Sequence, residues 1–276
     1  MRLIQQGPAM RPFVCLAFCC LLSAIASAAE PLRILTWNID GENSDMEEIM
    51  RQLRALRAEY RFDVLAISEV PATETKRFVN FFAEGAGVSG KRGEAYRLVT
   101  AWEPGRLSLI SGVEVLELDG FTCHSQSVAP LAARLRDHLE VREVYVVNYR
   151  FMHDALSLSL QAGDLARWAT AQVLPVFFLG DFDPDYSFGA RKDLSKNYML
   201  EDLELLTWVK PEPLVDSQWV DADADNVDDN PESLSDFVFY NGMNNLRISA
   251  EVIVREGDYP DDDKTSDHRP VLVTIE

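Results

Sequence analysis

Four short segments end apolar runs with side chains able to hold a hard cation or move a proton: Thr36-Trp37-Asn38-Ile39-Asp40, Ser68-Glu69-Val70, Gly180-Asp181-Phe182-Asp183 and Ser266-Asp267-His268. Carboxylate and amide oxygens are the ligands that an ion such as Mg²⁺ prefers. Strand ends hold such groups rigidly around a cleft. An imidazole beside a carboxylate adds a group that exchanges a proton near neutral pH. Taken singly, each segment has a plainer explanation. Asp and Asn at strand ends cap turns, Glu69 alone reads as a solvated carboxylate, His268 alone as a structural histidine, and Asp40-Gly41 is a favourable turn dipeptide. What makes them a set is their common position at the ends of apolar runs.

The elements needed to position them are legible from periodicity. Leu32–Trp37 reads as a strand and 45–60 as a helix, with Met46, Ile49, Met50, Leu53 and Leu56 at helical spacing behind an acidic first turn. Phe62–Ile67 is a second strand, so Asn38 and Glu69 fall at the downstream ends of two strands. A helix is expected over 73–82 and a glycine-rich loop over 85–93. Short β-like runs follow at 96–100, 106–110, 113–118, 128–136 and 141–149 at hairpin-like intervals, with 128–136 also open to a helical reading. A helix over 154–173 precedes the buried strand 176–179, which delivers Gly180 and Asp181. The last third reads as a helical stretch at 198–209, a β-like 214–220, an acidic loop at 221–232, and strands at 237–240, 246–255 and 270–275. Strands arriving as hairpins among helices favour an α/β domain of two packed mixed β-sheets over a doubly wound parallel sheet.

Residues 1–28 read as a secretory signal outside that domain. Arg2 and Arg11 precede the apolar run Phe13–Ile25, and Ala26-Ser27-Ala28 is a small-x-small cleavage site. The run falls short of the roughly 20 apolar residues of a membrane span, so none is expected in the mature chain. A retained N-terminal anchor is the competing reading. Cys15, Cys19 and Cys20 leave with the signal, and Cys123 alone cannot form an internal disulfide, so residues 29–276 must rely on one core. Without Arg2 and Arg11, 24 of the 26 basic residues remain against 45 acidic ones, a net charge of −21. That opposes a non-specific grip on nucleic acid, which needs Lys/Arg clusters to displace counterions. It does not oppose a small phosphate bound at a metal, whose own charge inverts the local field.

From Leu32 to Glu276 the sequence resembles the endonuclease/exonuclease/phosphatase superfamily of metal-dependent phosphoesterases. The resemblance rests on Trp-Asn-Ile-Asp-Gly at 37–41, Glu69-Val70, Gly-Asp-Phe at 180–182, Ser235-Asp236-Phe237-Val238-Phe239 and Ser-Asp-His at 266–268, in the family's order. It implies a four-layer α/β/β/α sandwich, two mixed sheets flanked by helices. It implies Glu69 as the principal ligand of Mg²⁺ or Mn²⁺, with Asn38, Asp267 and Asp40 in the metal and phosphate shell. His268 would face the scissile phosphate, Asp236 would orient its other ring nitrogen, and Asp181 would position or deprotonate the attacking water. A strand-initiating cap is the alternative for Asp236.

Three places depart from the family pattern. Ser68 stands where Gln is usual before the metal Glu. In Val147-Asn148-Tyr149-Arg150, Arg150 replaces the histidine of an Asn-Thr-His-Leu strand end. Arginine binds phosphate bidentately but transfers no proton, so Arg150, with Asn148, is expected at the substrate phosphate; His153 is a weaker substitute for the lost imidazole. Asp183 replaces the Asn of Gly-Asp-Phe-Asn, losing a donor toward the phosphate and adding charge near Asp181. The alternating acids Asp221, Asp223, Asp225 and Asp228 in 221–230 could hold Ca²⁺, but an EF-hand's glycine and final glutamate are missing, and a solvated acidic loop is the plainer reading. The expectation is therefore an exported, periplasmic or secreted, monomeric hydrolase of a small or lipid-linked phosphate mono- or diester. An exported nuclease and a non-catalytic binding protein on the same fold are the alternatives.

Overall fold

The computed structural model describes residues 30–82, 85–89, 95–118, 129–150, 155–188, 205–242 and 246–276. The expected signal segment, Cys123, His153 and the side chain of Asp183 lie outside the described residues. The chain runs β1 (Leu32–Asn38), α1 (Met46–Tyr60), β2 (Val64–Pro71), α2 (Thr75–Val79), β3 (Ala86–Ser89), β4 (Tyr96–Trp102), β5 (Leu107–Leu109), β6 (Glu114–Val115), β7 (Leu131–Asp137), β8 (Arg142–Arg150), α3 (Ala155–Thr170), β9 (Val176–Ser187), β10 (Thr207–Trp208), β11 (Ser233–Tyr240), β12 (Ile248–Val252) and β13 (Val271–Ile275).

One sheet has the order β12-β13-β1-β2-β4-β3, and the other β10-β11-β9-β8-β7-β5 with β6 also on β7. Each contains one parallel pair joined through a helix, β1–α1–β2 in the first and β8–α3–β9 in the second. Parallel neighbours require such a crossover, whereas their antiparallel neighbours do not. The crossover puts both strand C-termini at the same edge of the sheet. Asn38 and Glu69 therefore arrive together, as do Arg150 at the end of β8 and its register partner Asp181, midway along β9.

Alternation along the strands decides what faces the space between the sheets. Leu32 and Ile34 of β1, with Val64 and Ala66 of β2, enter the inter-sheet core, while Leu35, Trp37, Leu65 and Ile67 pack outward beneath α1 and α2. Helix α1 starts at Asp45, whose carboxylate accepts the Glu47 N–H, and buries Ile49, Met50, Leu53 and Leu56 on that outer face. Each of these side chains contributes roughly 1.5–3 kcal/mol by leaving water. On the other side α3 sets Trp168 edge-on to Tyr145 of β8 and Phe178 of β9. The layers are thus helix, sheet, sheet, helix, as the sequence pattern and the resemblance led us to expect.

Several elements differ from the sequence reading, among them β9, which runs on to Ser187 rather than ending at Leu179. Residues 86–89, expected in a glycine-rich loop, form β3 against β4, and a Cβ on Gly87 would come within 2.5 Å of Val113. Smallness there serves close packing. Thr207–Trp208, expected at the end of a helix, is a short strand paired with β11. The 214–220 run joins neither sheet and makes one isolated bridge, Gln218 to His268.

Two contacts hold the sheets and strand ends in register. The Asn148 amide on β8 is fully buried and donates to the carbonyls of Ile67 on β2 and Val99 on β4, both at 3.0 Å. Gly180, with φ of +145°, lies so close to β8 that a Cβ would stand 1.9 Å from the Tyr149 carbonyl oxygen. Asn148→Ala removes two buried hydrogen bonds between the sheets, a loss of about 1–3 kcal/mol in all at about 0.5–1.5 kcal/mol each. Denaturant unfolding should register a destabilisation of that order, and an unchanged midpoint would contradict the clamp.

Candidate functional site

The second sheet presents its polar groups in a row. Arg150 of β8 is the register partner of Asp181 of β9, which is in turn the partner of Asp236 of β11. Neighbouring strands lie about 4.8 Å apart, so one guanidinium and two carboxylates line up across three strands. Asp236 shares its side of β11 with Val238, while Phe237 and Phe239 turn the other way toward Phe182.

The first sheet answers with Asn38 and Glu69. Alternation sends Asn38 inward, but it would send Glu69 outward with Ile67. Glu69 instead has a φ of +57°, at a register shift between Ile67 and Val70 where β2 pairs with β4. A bulge of this kind re-aims a side chain. Gly41 leaves the room for it, since a Cβ there would lie 2.1 Å from the Glu69 carbonyl oxygen. As a result the Asn38 Nδ2 donates to Glu69 Oε1 at 2.8 Å and to Asp181 Oδ2 at 2.9 Å, with His268 Nε2 at 3.3 Å.

His268 reaches this point through its own chain segment. The Ser266 hydroxyl donates to the Asn38 carbonyl at 2.7 Å and accepts the His268 N–H at 3.0 Å. The Trp37 indole N–H donates to the His268 carbonyl at 2.8 Å. These bonds explain why Trp37-Asn38 and Ser266-Asp267-His268, far apart in sequence, belong together. His268 Nδ1 lies 2.9 Å from Asp236 Oδ2, and its Nε2 faces Asp267 Oδ1 at 3.9 Å and Asp181 Oδ2 at 4.0 Å. Burial pulls the imidazole down, but the carboxylates of Asp236, Asp267 and Asp181 outweigh it and hold it well above its ordinary value. Burial raises the Glu69 carboxyl, with Arg150 and Asn38 opposing.

Most of the expected residues meet here: Asn38, Glu69, Arg150, Asp181, Asp236, Asp267 and His268. Asp40 borders the group. Its carboxylate accepts both bonds from the Asn43 amide at 2.9 and 3.0 Å, and burial, then the nearby Asp267, raise it against that bonding. The Asn38 oxygen accepts the Asp40 N–H at 3.1 Å, so the amide turns its NH₂ toward the carboxylates. Asn148, expected at the substrate phosphate, is instead the joint between the sheets, because both amide bonds go to backbone carbonyls. Sequence reasoning missed Ser217, which accepts the N–H groups of Ser235 and Asp236, and Gln218, whose amide donates to Asp267 Oδ2 at 3.3 Å. Neither carries a local sequence signal, since Ser217 acts on the backbone of β11 and Gln218 through an isolated bridge to His268.

The donor set suits a hard divalent cation. The Glu69 carboxylate is the least solvated acid of the first sheet's edge, and Asp267 Oδ1 is buried with no hydrogen-bond partner. In the acidic loop, Asp221, Asp223 and Asp225 bring oxygens within 4.8 Å of one another. Asp228, the fourth expected calcium ligand, instead accepts the N–H groups of Val220 and Asn230. A hollow of 850 Å³ lined by residues of α1 and the segment after α2 contains none of the site residues.

No family model and no curated protein matches the chain. Solved structures do. D. rerio TDP2 complexed with a single-strand DNA product superposes with a TM-score of 0.64 at 13% identity, covering 89% of this chain and 99% of that one. A Bacteroides vulgatus endonuclease/exonuclease/phosphatase gives 0.64 at 16%, over 89% and 98% of the two chains. The human Nocturnin catalytic domain with bound sulfate gives 0.61 at 16%, over 89% and 94%. The chain therefore has the endonuclease/exonuclease/phosphatase fold, in agreement with the resemblance read from its motifs.

In metal-free protein, the ring-carbon NMR signals of His268, assigned by their loss in His268→Ala, should titrate above the ordinary histidine value of about 6.5. Asp236→Asn should move that midpoint down. An unchanged midpoint would show that Asp236 does not hold the proton on His268.

Proposed function

We propose that the chain is an exported, divalent-metal-dependent phosphoesterase acting on a small or lipid-linked phosphate ester. The observation that carries this reading is the Asn38 amide in contact with Glu69, Asp181 and His268 at once, which joins acids from both sheets to one imidazole. Glu69 and Asp267 would hold Mg²⁺ or Mn²⁺, with Asn38 and Asp40 at its border. Bound there, the ion would polarise a phosphoryl oxygen and offset the charge of the in-line transition state.

The remaining steps belong to the protein. Asp181, held by the Asn38 amide, accepts the proton of the attacking water. Asp236 keeps the Nδ1 proton on His268, leaving Nε2–H to donate toward the phosphoryl group or the departing oxygen. Arg150 offers a charged fork for a phosphate oxygen. Export, taken from the character of residues 1–28, and Ca²⁺ at 221–230 belong to the same proposal. D. rerio TDP2 was crystallised with a DNA product, so a nuclease is the competing reading; the acidic composition opposes it.

The test is hydrolysis of nitrophenyl phosphate, bis-nitrophenyl phosphate and plasmid DNA by full-length protein with Mg²⁺ or Mn²⁺ and with chelator. Turnover of the small esters that stops with chelator supports the proposal. Plasmid cleavage without ester turnover replaces it with the nuclease, and inactivity on all three points to a binding protein. His268→Ala should lower kcat by about 10²–10⁴, the usual share of a general acid–base group, and Glu69→Gln should abolish turnover. Asp183→Asn should leave activity equal or higher; a large loss would give that carboxylate a role of its own.

A further inference from the structure

Arg150 closes β8 with its guanidinium Nη2 2.7 Å from Glu69 Oε1 and its Nε 3.9 Å from Asp181 Oδ2. A permanent cation thus rests on the carboxylate best suited to a metal. The pair is largely withdrawn from solvent, with the Glu69 side chain 13% and the Arg150 side chain 23% exposed, so water screens it weakly. The rest of the site reinforces the arrangement. Asn38 donates to the same Glu69 oxygen, and the Asp267 oxygen facing His268 stays without a hydrogen-bond partner. Among the described residues, the group of three acids with oxygens within 4.8 Å of one another is in the 221–225 loop and not at Glu69. The catalytic acids therefore stand open around a guanidinium.

We propose that Arg150 is an internal counter-ion that competes with the divalent cation for Glu69 and is released when a tetrahedral oxyanion draws its fork away. This inference rests on the metal-dependent phosphoesterase reading above. A guanidinium and a divalent ion cannot both be the nearest partner of one carboxylate oxygen, because each repels the other at that distance. An oxyanion matches the planar fork as well as a carboxylate does. Arginine at this position, where a histidine could lose its charge by deprotonation, keeps the competing cation charged at every working pH. Metal and oxyanion then favour one another, and linkage requires the coupling to be reciprocal. Free, the site pairs its own charges; with substrate present, Arg150 moves to the phosphoryl group and Glu69 opens to the metal.

The experiment is calorimetric titration of Mn²⁺ into full-length wild type, Arg150→Gln, Arg150→Lys and Glu69→Gln, each with and without sulfate as a tetrahedral anion that is not hydrolysed. Arg150→Gln should bind Mn²⁺ on the order of tenfold more tightly than wild type, within the usual range of coupling between sites. Arg150→Lys, which keeps the charge, should stay close to wild type. Sulfate should tighten Mn²⁺ binding in wild type and lose that effect in Arg150→Gln. Equal or weaker Mn²⁺ binding by Arg150→Gln, with Glu69→Gln still losing the ion, overturns the counter-ion and leaves the metal assignment standing. Failure of sulfate to tighten Mn²⁺ binding in wild type overturns the release step without recourse to any variant. Absence of Mn²⁺ binding in both wild type and Arg150→Gln overturns the counter-ion and the metal-dependent reading together.

Discussion

The carboxamide of Asn38 touches a carboxylate from its own sheet and one from the opposite sheet within 3 Å. That double contact exists only if the two sheets are held at one separation and one register. Asn148 supplies the hold, since it reaches from β8 to two carbonyls of the facing sheet in the layer below the site. One asparagine thus secures the frame on which the other arranges charge. The surrounding groups are acids that would repel each other without Asn38, Arg150 and His268 between them.

The site brings together Glu69, Asp181, Asp236 and Asp267 with one guanidinium and one imidazole. Two cations against four carboxylates leave a deficit that a divalent ion would fill, and burial makes the deficit costly. The raised His268 value and the Arg150–Glu69 pair are two expressions of this imbalance. In each case the protein recruits a cation to acids it cannot solvate. In the proposed reaction a phosphate substrate would add negative charge to the same place, so that metal, guanidinium and imidazolium would be redistributed as it binds.

Two parallel βαβ units, one per sheet, are what make the convergence possible. Each delivers residues side by side on adjacent parallel strands: Asn38 and Arg150 at the ends of β1 and β8, Glu69 near the end of β2, and Asp181 midway along β9. The antiparallel strands β11 and β13 then bring Asp236 and the His268 segment against those ends from the other direction. Gly180 shows how tight this meeting is, because no side chain larger than hydrogen fits beside the Tyr149 carbonyl.

Sequence by itself determined the element types over most of the described chain, because alternation of period two and helical spacing are local properties. The motifs and the family resemblance named most of the residues that gather here, and alternation agrees for Asn38, Arg150, Asp181 and Asp236, which sit on inward-facing positions. Tertiary structure decided the rest. Glu69 lies on the wrong parity for an inward side chain, and only the bulge in β2, accommodated by Gly41, turns it into the cleft. Asn148 carries the same amide as Asn38, yet its depth one step back from the strand end makes it a joint rather than a ligand. Ser217 gains its role from the β11 backbone and Gln218 from a single bridge to His268, and the Arg150–Glu69 contact joins two sheets that never pair. Such relations depend on the packing distance between layers, which no local window of sequence encodes.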